Sequence, residues 1–417
     1  MQKTKIHFLN LVLYFALSTT LLIGYFLGED SSGSGGFPID FNSTWPILKL
    51  IEKGEYINFS EYTIHFPLHY YILYFFNLLV ESKDAVRLLF TLISLITPYI
   101  FFLILKEKFF RTDLNKLFFL SQIIFLLPSF RSGAIWANTQ LTALLFFMIS
   151  IFYFLKWENQ RSKLIDKNLV LQCFFLSLAV YSRQLYAIVF IYIVYIYFLK
   201  LDFKEFIKSS IIIFIFSLPG IYLVLSVPRT LSLTFDFNFA NSLMVNTSII
   251  SFYLIPLYFV IGLNYLKDFN KLSISKRHYS LILLSLLLVL LSSTLFNYNP
   301  ALGGGFFIKL SMIIFKNLYF FFFTSFVGIM LIVHIFKENK NTLILFLLLI
   351  FGFSSYQIFQ KYFEPMLIIL LFSIIDFSQV KLIFKNYKSI IIFQSYFIIY
   401  LIAAIINDIF KITKTFA

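Results

Sequence analysis

FLNLVLYFALSTTLLIGYFL, residues 8–27, runs for 20 residues without a charged side chain. About 20 apolar residues in helical form match the hydrocarbon thickness of a bilayer. No small-residue cleavage site follows, so the run reads as a retained span rather than a signal peptide. Outward from it the same pattern recurs along the whole chain. Of 417 residues 60% are hydrophobic and 13% charged, with 58 Phe and 26 Tyr. An ordinary soluble domain is about one-quarter charged. A single soluble core has no room for so many apolar side chains, whereas lipid solvates them. The length admits roughly a dozen spans. The fold class is therefore an all-α polytopic membrane protein.

The formal net charge of +14 does not indicate nucleic acid. The basic residues lie in short loops between apolar runs, not on one face or tail. Cys173 is the only cysteine, which excludes an intrachain disulfide and a Cys-rich metal site.

Loop charge sorts the chain by sidedness, because Lys and Arg accumulate on the cytoplasmic side. Loops 106–116, 156–167, 200–208, 266–278, 337–340 and 379–388 are basic. They alternate with 128–140, 181–186, 227–248, 296–310 and 359–365, which carry one basic residue or nearly so. The alternation holds only if FPLHYYILYFFNLLV, residues 66–80, does not cross. That segment is short for a span and reads as a juxtamembrane or re-entrant helix on the outer side. About 13 spans follow, in a single transmembrane domain over 1–417, with the C terminus outside. Residues 29–87 form a large outer first loop, opened by a Gly/Ser-rich stretch that reads as flexible.

That loop holds the first candidate residues. Trp45, Leu48 and Ile51 recur at helical spacing and predict a short amphipathic helix at the interface. Asn42, Ser43 or Thr44 caps it, and Gly54 stops it. Asp40 then sits just before the helix. His65 and His69 stand four apart, a spacing that suits a metal pair on one helical face. Pro67 between them starts a helix and leaves His65 outside it. Histidines and tyrosines here, Tyr70 included, also suit headgroup depth.

Isolated outer-side cations form the second group: Arg131, Arg183, and Lys361 followed by Glu364. Charges at span ends are costly unless they face a cavity or partner, and an anionic lipid phosphate is such a partner. Trp136, Asn138 and Gln140 carry groups able to bond a sugar, or to satisfy a helix end. Asp236 is a further outer carboxylate. No Walker or dinucleotide fingerprint is present.

Read together, these motifs resemble the GT-C superfamily of membrane glycosyltransferases, closest in arrangement to protein O-mannosyltransferases and aminoarabinose transferases. The likeness rests on an outer-loop acid (Asp40), an amphipathic stretch (Trp45 to Lys53) and Gly54-Glu55-Tyr56. It continues with His65-Phe66-Pro67-Leu68-His69-Tyr70-Tyr71 and Asp84-Ala85-Val86-Arg87. It covers residues 8–105 by motif and the remainder by topology alone. The chain departs from the family pattern where Phe41 follows Asp40 in place of a second acid, and where Phe66 replaces the first proline. Glu29-Asp30 offers a rival acidic pair.

The resemblance implies an inverting transferase that moves a sugar from a polyprenyl-phosphate donor to a hydroxyl on the outer membrane face. The acceptor class (lipid-linked glycan, lipid head group or protein) stays open. Asp40 would be the catalytic base, with Arg183, Arg131 or Lys361 at the donor phosphate. His65, His69, Tyr70, Trp136, Asn138 and Gln140 would contact substrate. Asp40 with His65 is compatible with a divalent metal, which the sequence does not require. Composition suggests a bacterial inner membrane with a periplasmic active site. Two other classes compete: an O-antigen-type polymerase or ligase, and a lipid or solute transporter. The first expects its machinery in a large later outer loop; the second expects mid-membrane charges and paired broken helices.

Overall fold

The computed structural model describes residues 6–31, 36–55, 63, 65–160, 164–226, 237–265, 276–300, 303–353 and 357–410. Among these the chain is helical, with no strand. Seven helices among the described residues are long and apolar enough to cross a membrane: Phe8–Leu27, Lys83–Lys108, Thr139–Glu158, Phe203–Ser226, Phe239–Asn264, Tyr319–Glu338 and Tyr387–Phe410. Two bent pairs raise the number to nine: Leu114–Leu126 with Pro128–Ile135, at 68°, and Met366–Ser373 with Ser378–Lys385, at 100°. The first bend has a local cause. Leu127 is extended, and Pro128 starts the next helix where its missing N–H is harmless. Six further apolar helices are shorter, among them Leu68–Val80.

The chain divides into two compact units, a division not anticipated from sequence. Unit 1 is Met1–Thr234 with Tyr400–Phe410; unit 2 is Phe235–Ile399 with Lys411–Ala417.

Within unit 1, polar contacts form two groups, and helix Phe8–Leu27, about 30 Å long at 1.5 Å per residue, has one end in each. At the N-terminal end the His7 amide donates to Asn115 Oδ1 at 2.6 Å. Asn159 Nδ2 donates to Glu107 Oε1 at 3.0 Å, Lys200 pairs with Glu158, and the Ile165 amide donates to Glu205. At the C-terminal end Gly28 adopts a left-handed φ of 68° and closes the helix, the Glu29 amide donating to the Gly24 carbonyl at 2.9 Å. There the Tyr25 hydroxyl donates to the Asp84 carbonyl at 2.8 Å. The Asp30 amide donates to Asp408 at 3.0 Å. Basic loops thus meet one another, and the loops 128–140 and 181–186, poor in basic residues, meet through Thr139 and Arg183. Unit 2 repeats the division. The Ser378 amide and hydroxyl both donate to Glu338 at 2.8 Å. Separately, Asn241 joins Asn297 at 2.8 Å, and the Gly304 amide donates to the Ile358 carbonyl.

Helix Leu68–Val80 has 13 residues, about 20 Å, short of the ~30 Å hydrocarbon. His69 in its first turn meets Thr142, and Lys83 just beyond its end meets Asn42.

In unit 2 the helices Phe239–Tyr265 and Tyr319–Glu338 pack through small and hydroxylated residues. Ser248 and Thr324 hydroxyls are 2.8 Å apart, and Ser325 donates to the Met244 carbonyl at 2.8 Å. Gly328 lies directly against the Thr247 carbonyl. Close backbone approach of this kind replaces the hydrophobic drive that lipid removes.

Candidate functional site

The site is built on the helix that carries Asp40. This helix starts at Phe37, earlier than the Trp45 start that the sequence suggests. Phe37, Phe41, Thr44, Leu48 and Ile51 are all buried and recur at three- and four-residue spacing, so burial extends the stripe upstream. Pro38 suits the first turn. Asn42, Ser43 and Thr44 therefore lie inside the helix and do not cap it. Ser43 and Thr44 instead donate to the Asp40 carbonyl, at 2.8 and 2.9 Å. Gly54 ends the segment as expected, with φ 72°. Asp40 thus occupies the first turn, where the helix dipole favours a carboxylate, and it is exposed.

A second helix start faces it. Asn138 caps helix Thr139–Glu158, its Oδ1 accepting from the Gln140 amide at 3.0 Å. Its Nδ2 donates to Asp40 Oδ2 at 3.2 Å. The next residue, Thr139, accepts from Arg183 Nη1 at 3.1 Å. Arg183 is 6% exposed and ends helix Lys167–Ser182 in extended conformation. Two adjacent residues therefore hold a carboxylate and a guanidinium at one helix N terminus. Tyr70 lies within electrostatic reach of both Asp40 and Arg183, and its hydroxyl is 2.6 Å from that of Thr63. One turn further along, Thr142 meets His69 Nδ1 at 2.8 Å. His69 is fully buried, edge-on to Tyr70 and Phe90. Burial pulls its pKa down to about 3, so the ring is neutral. His65 lies outside the helix, its amide donating to Thr63 at 3.0 Å. Gln140 is buried within the same helix start.

Arg131 is placed differently. Its Nε and Nη2 bind the two Glu29 oxygens at 2.7 and 2.6 Å. Nη1 and Nη2 also reach Thr20, at 3.1 and 3.0 Å. Arg131 is 4% exposed, so its cation is committed to the first helix. Glu29 further accepts from Ser31 at 2.7 Å, and its carbonyl accepts from Trp136 Nε1 at 2.9 Å. Trp136 thus braces the acid of this buried pair. Asp30, the other rival acid, is 6% exposed and tied to Asp408 through its amide. Lys361 belongs to unit 2, where its ammonium lies 5.1 Å over the Phe359 ring. Asp236 and Tyr56 lie outside the described residues.

No family model, curated protein or solved structure matches the chain.

Among the described residues no group of three or more His, Cys, Asp or Glu is placed to hold a metal ion. His69 meets Thr142 through Nδ1. Sequence reasoning missed Thr63, Thr139 and Thr142. Only Thr139 left a signal, as the residue after an Asn at a helix start.

Proposed function

We propose that this chain is a GT-C-type glycosyltransferase that uses a polyprenyl-phosphate-linked sugar at the outer membrane face. The observation that carries the proposal is the helix start at Asn138–Thr139, bonded to Asp40 on one side and Arg183 on the other. A transferase of this kind needs two unlike groups. A carboxylate must take the proton of the acceptor hydroxyl as it attacks. A cation must receive the phosphate as it leaves.

Asp40 is the base. The acceptor oxygen attacks the anomeric carbon opposite the phosphate, its proton passes to Asp40, and the carbon–oxygen bond to phosphate breaks. The electron pair leaves with polyprenyl phosphate, and a single displacement inverts the anomeric centre. Arg183 is the phosphate cation. A buried guanidinium beside the positive end of a helix gathers like charge in one place, which favours an anionic ligand. Arg131 has no such role, because Glu29 already compensates it. Tyr70, His69 and Gln140 line the same helix start and would face the sugar.

The two bent pairs and the helices Lys167–Ser182, Gln184–Lys200, Ser280–Thr294 and Asn341–Phe351, added to the seven long helices, allow about 13 crossings. The basic loops then face the cytoplasm and Asp40 faces out, in keeping with a bacterial inner membrane and a periplasmic site. A lipid-linked glycan, a lipid head group or a protein hydroxyl would serve as acceptor.

The test is acceptor-dependent release of polyprenyl phosphate from a panel of polyprenyl-phosphate sugars, using purified wild type and D40N. Release by wild type alone is the expected result. Equal release by both would remove Asp40, and no release with any donor or membrane-extract acceptor would remove the transferase.

A further inference from the structure

Arg87 sits at the centre of an aromatic cluster with no part in the chemistry above. Its guanidinium carbon lies 3.7 Å from the centre of the Trp136 ring, 5.1 Å from Tyr25 and 5.8 Å from Phe41. Nε donates to the Ile135 carbonyl at 3.2 Å. Nη1 pairs with Asp84 at 3.2 Å, a carboxylate whose side chain is 79% exposed. Nη2 is buried with no hydrogen-bond partner among the described residues, which leaves that edge to the rings. The Arg87 side chain itself is 11% exposed. A planar guanidinium stacks on aromatic faces in a way an ammonium does not.

The residues it touches are neighbours of the site. Phe41 follows Asp40 directly. Ile135 and Trp136 lead into Ala137, a non-glycine residue at φ 44°. A side chain in that left-handed region costs free energy and persists only where its surroundings hold it. The next residue is Asn138, which donates to Asp40. Arg87 therefore grips both segments whose meeting makes the Asp40–Asn138 contact. One grip is on Phe41; the other is on Trp136 and the Ile135 carbonyl.

We infer that Arg87 is a positioning residue: it clamps Phe41 to the Trp136–Ala137 corner and so fixes Asn138 against Asp40. The inference rests on the proposed role of Asp40 for its kinetic consequence, though not for the contact itself. Two readouts keep the two claims apart.

The first readout needs no activity. Carbodiimide labelling of carboxylates in the intact purified protein, read by mass spectrometry, reports the surroundings of Asp40. In R87K and in N138A, Asp40 labels faster than in wild type, while Glu55 and Glu107 do not change. The second readout is kinetic. R87K keeps the charge and loses the stack, and a misplacement of about 1 Å lowers rate by about 10²-fold. R87K lowers kcat by that order with KM for the donor unchanged. The double variant R87K/N138A is no slower than N138A alone, because both changes break one contact. Asp40 labelling unchanged in R87K would overturn the inference. So would losses of kcat that multiply in the double variant. Absence of transfer by wild type would count against the proposed function alone, since the labelling result would still stand.

Discussion

Removing Arg131 should unfold the protein more readily without touching the donor site. Its guanidinium is 4% exposed and meets both oxygens of Glu29, whose side chain is 10% exposed. Gly24 lies beneath the pair: a Cβ there would overlap the Glu29 carboxylate and stand 3.1 Å from Arg131. Arg131→Met would leave a buried carboxylate without its cation. Breaking a buried pair in this way costs about 3–5 kcal/mol. The pair Lys208–Glu205 supplies the contrast. Its lysine is 52% exposed, and pairs of that kind contribute about 0–1 kcal/mol. The two variants R131M and K208M should therefore differ by at least about 2 kcal/mol. Changing both partners, Glu29→Gln with Arg131→Met, should recover part of the loss, because a buried amide carries no net charge. The assay is equilibrium unfolding in mixed micelles with rising SDS fraction, followed by circular dichroism. R131M and K208M of equal stability would refute the structural assignment of Arg131. So would full additivity of the Glu29 and Arg131 changes.

Three more outcomes follow from the packing and the caps. Gly328→Ala would push a Cβ to 2.9 Å from the Thr247 carbonyl carbon and 3.2 Å from Ser251. Such overpacking costs about 1–3 kcal/mol in the same unfolding assay, whereas Gly262→Ala, with no atom within 4 Å, should be neutral or slightly stabilising. Asp166 caps helix Lys167–Ser182 by accepting from the Leu169 amide at 3.0 Å, so D166A should lose about 1 kcal/mol. Partial burial raises its pKa, but the bonds from Leu169, Gln160 and Asn168 win and set it below the ordinary value. A carboxylate so shifted stabilises above its unfolded pKa and loses that contribution as pH falls through the folded one. Wild type and D166A should thus differ at pH 7 and converge below about pH 4. Finally, Glu55→Cys and Glu81→Cys flank Leu68–Val80. Both should react with an impermeant maleimide from the same side of sealed vesicles, and labelling from opposite sides would mean that this helix crosses.

Much of the architecture was legible because its causes are local or additive. Apolar runs announce helices in lipid, and Lys and Arg crowd particular loops. The contacts among those loops reproduce the grouping by charge, as Asn159 with Glu107 and Ser378 with Glu338 illustrate. The turn at Gly54 and the helix start after Pro67 follow from backbone sterics alone. Asn42-Ser43-Thr44 carries a strong capping signal that points to a later start for helix Phe37–Glu52, while the burial of Phe37 and Phe41 that extends it depends on distant partners. Arg131 and Arg183 look alike in sequence, each an isolated cation at the end of a span. What separates them is 102 residues of chain between Arg131 and Glu29, and the packing that brings Thr139 to Arg183. No local pattern encodes either.

The most direct measurement is binding of polyprenyl phosphate, the leaving group itself, to purified wild type, D40N and R183M. If Arg183 holds the phosphate and Asp40 serves only the acceptor, D40N binds as wild type does. R183M then loses about 1.5–3 kcal/mol, the worth of a charged hydrogen bond, or roughly ten- to a hundredfold in Kd. Equal binding by all three proteins would contradict the division of labour between Asp40 and Arg183.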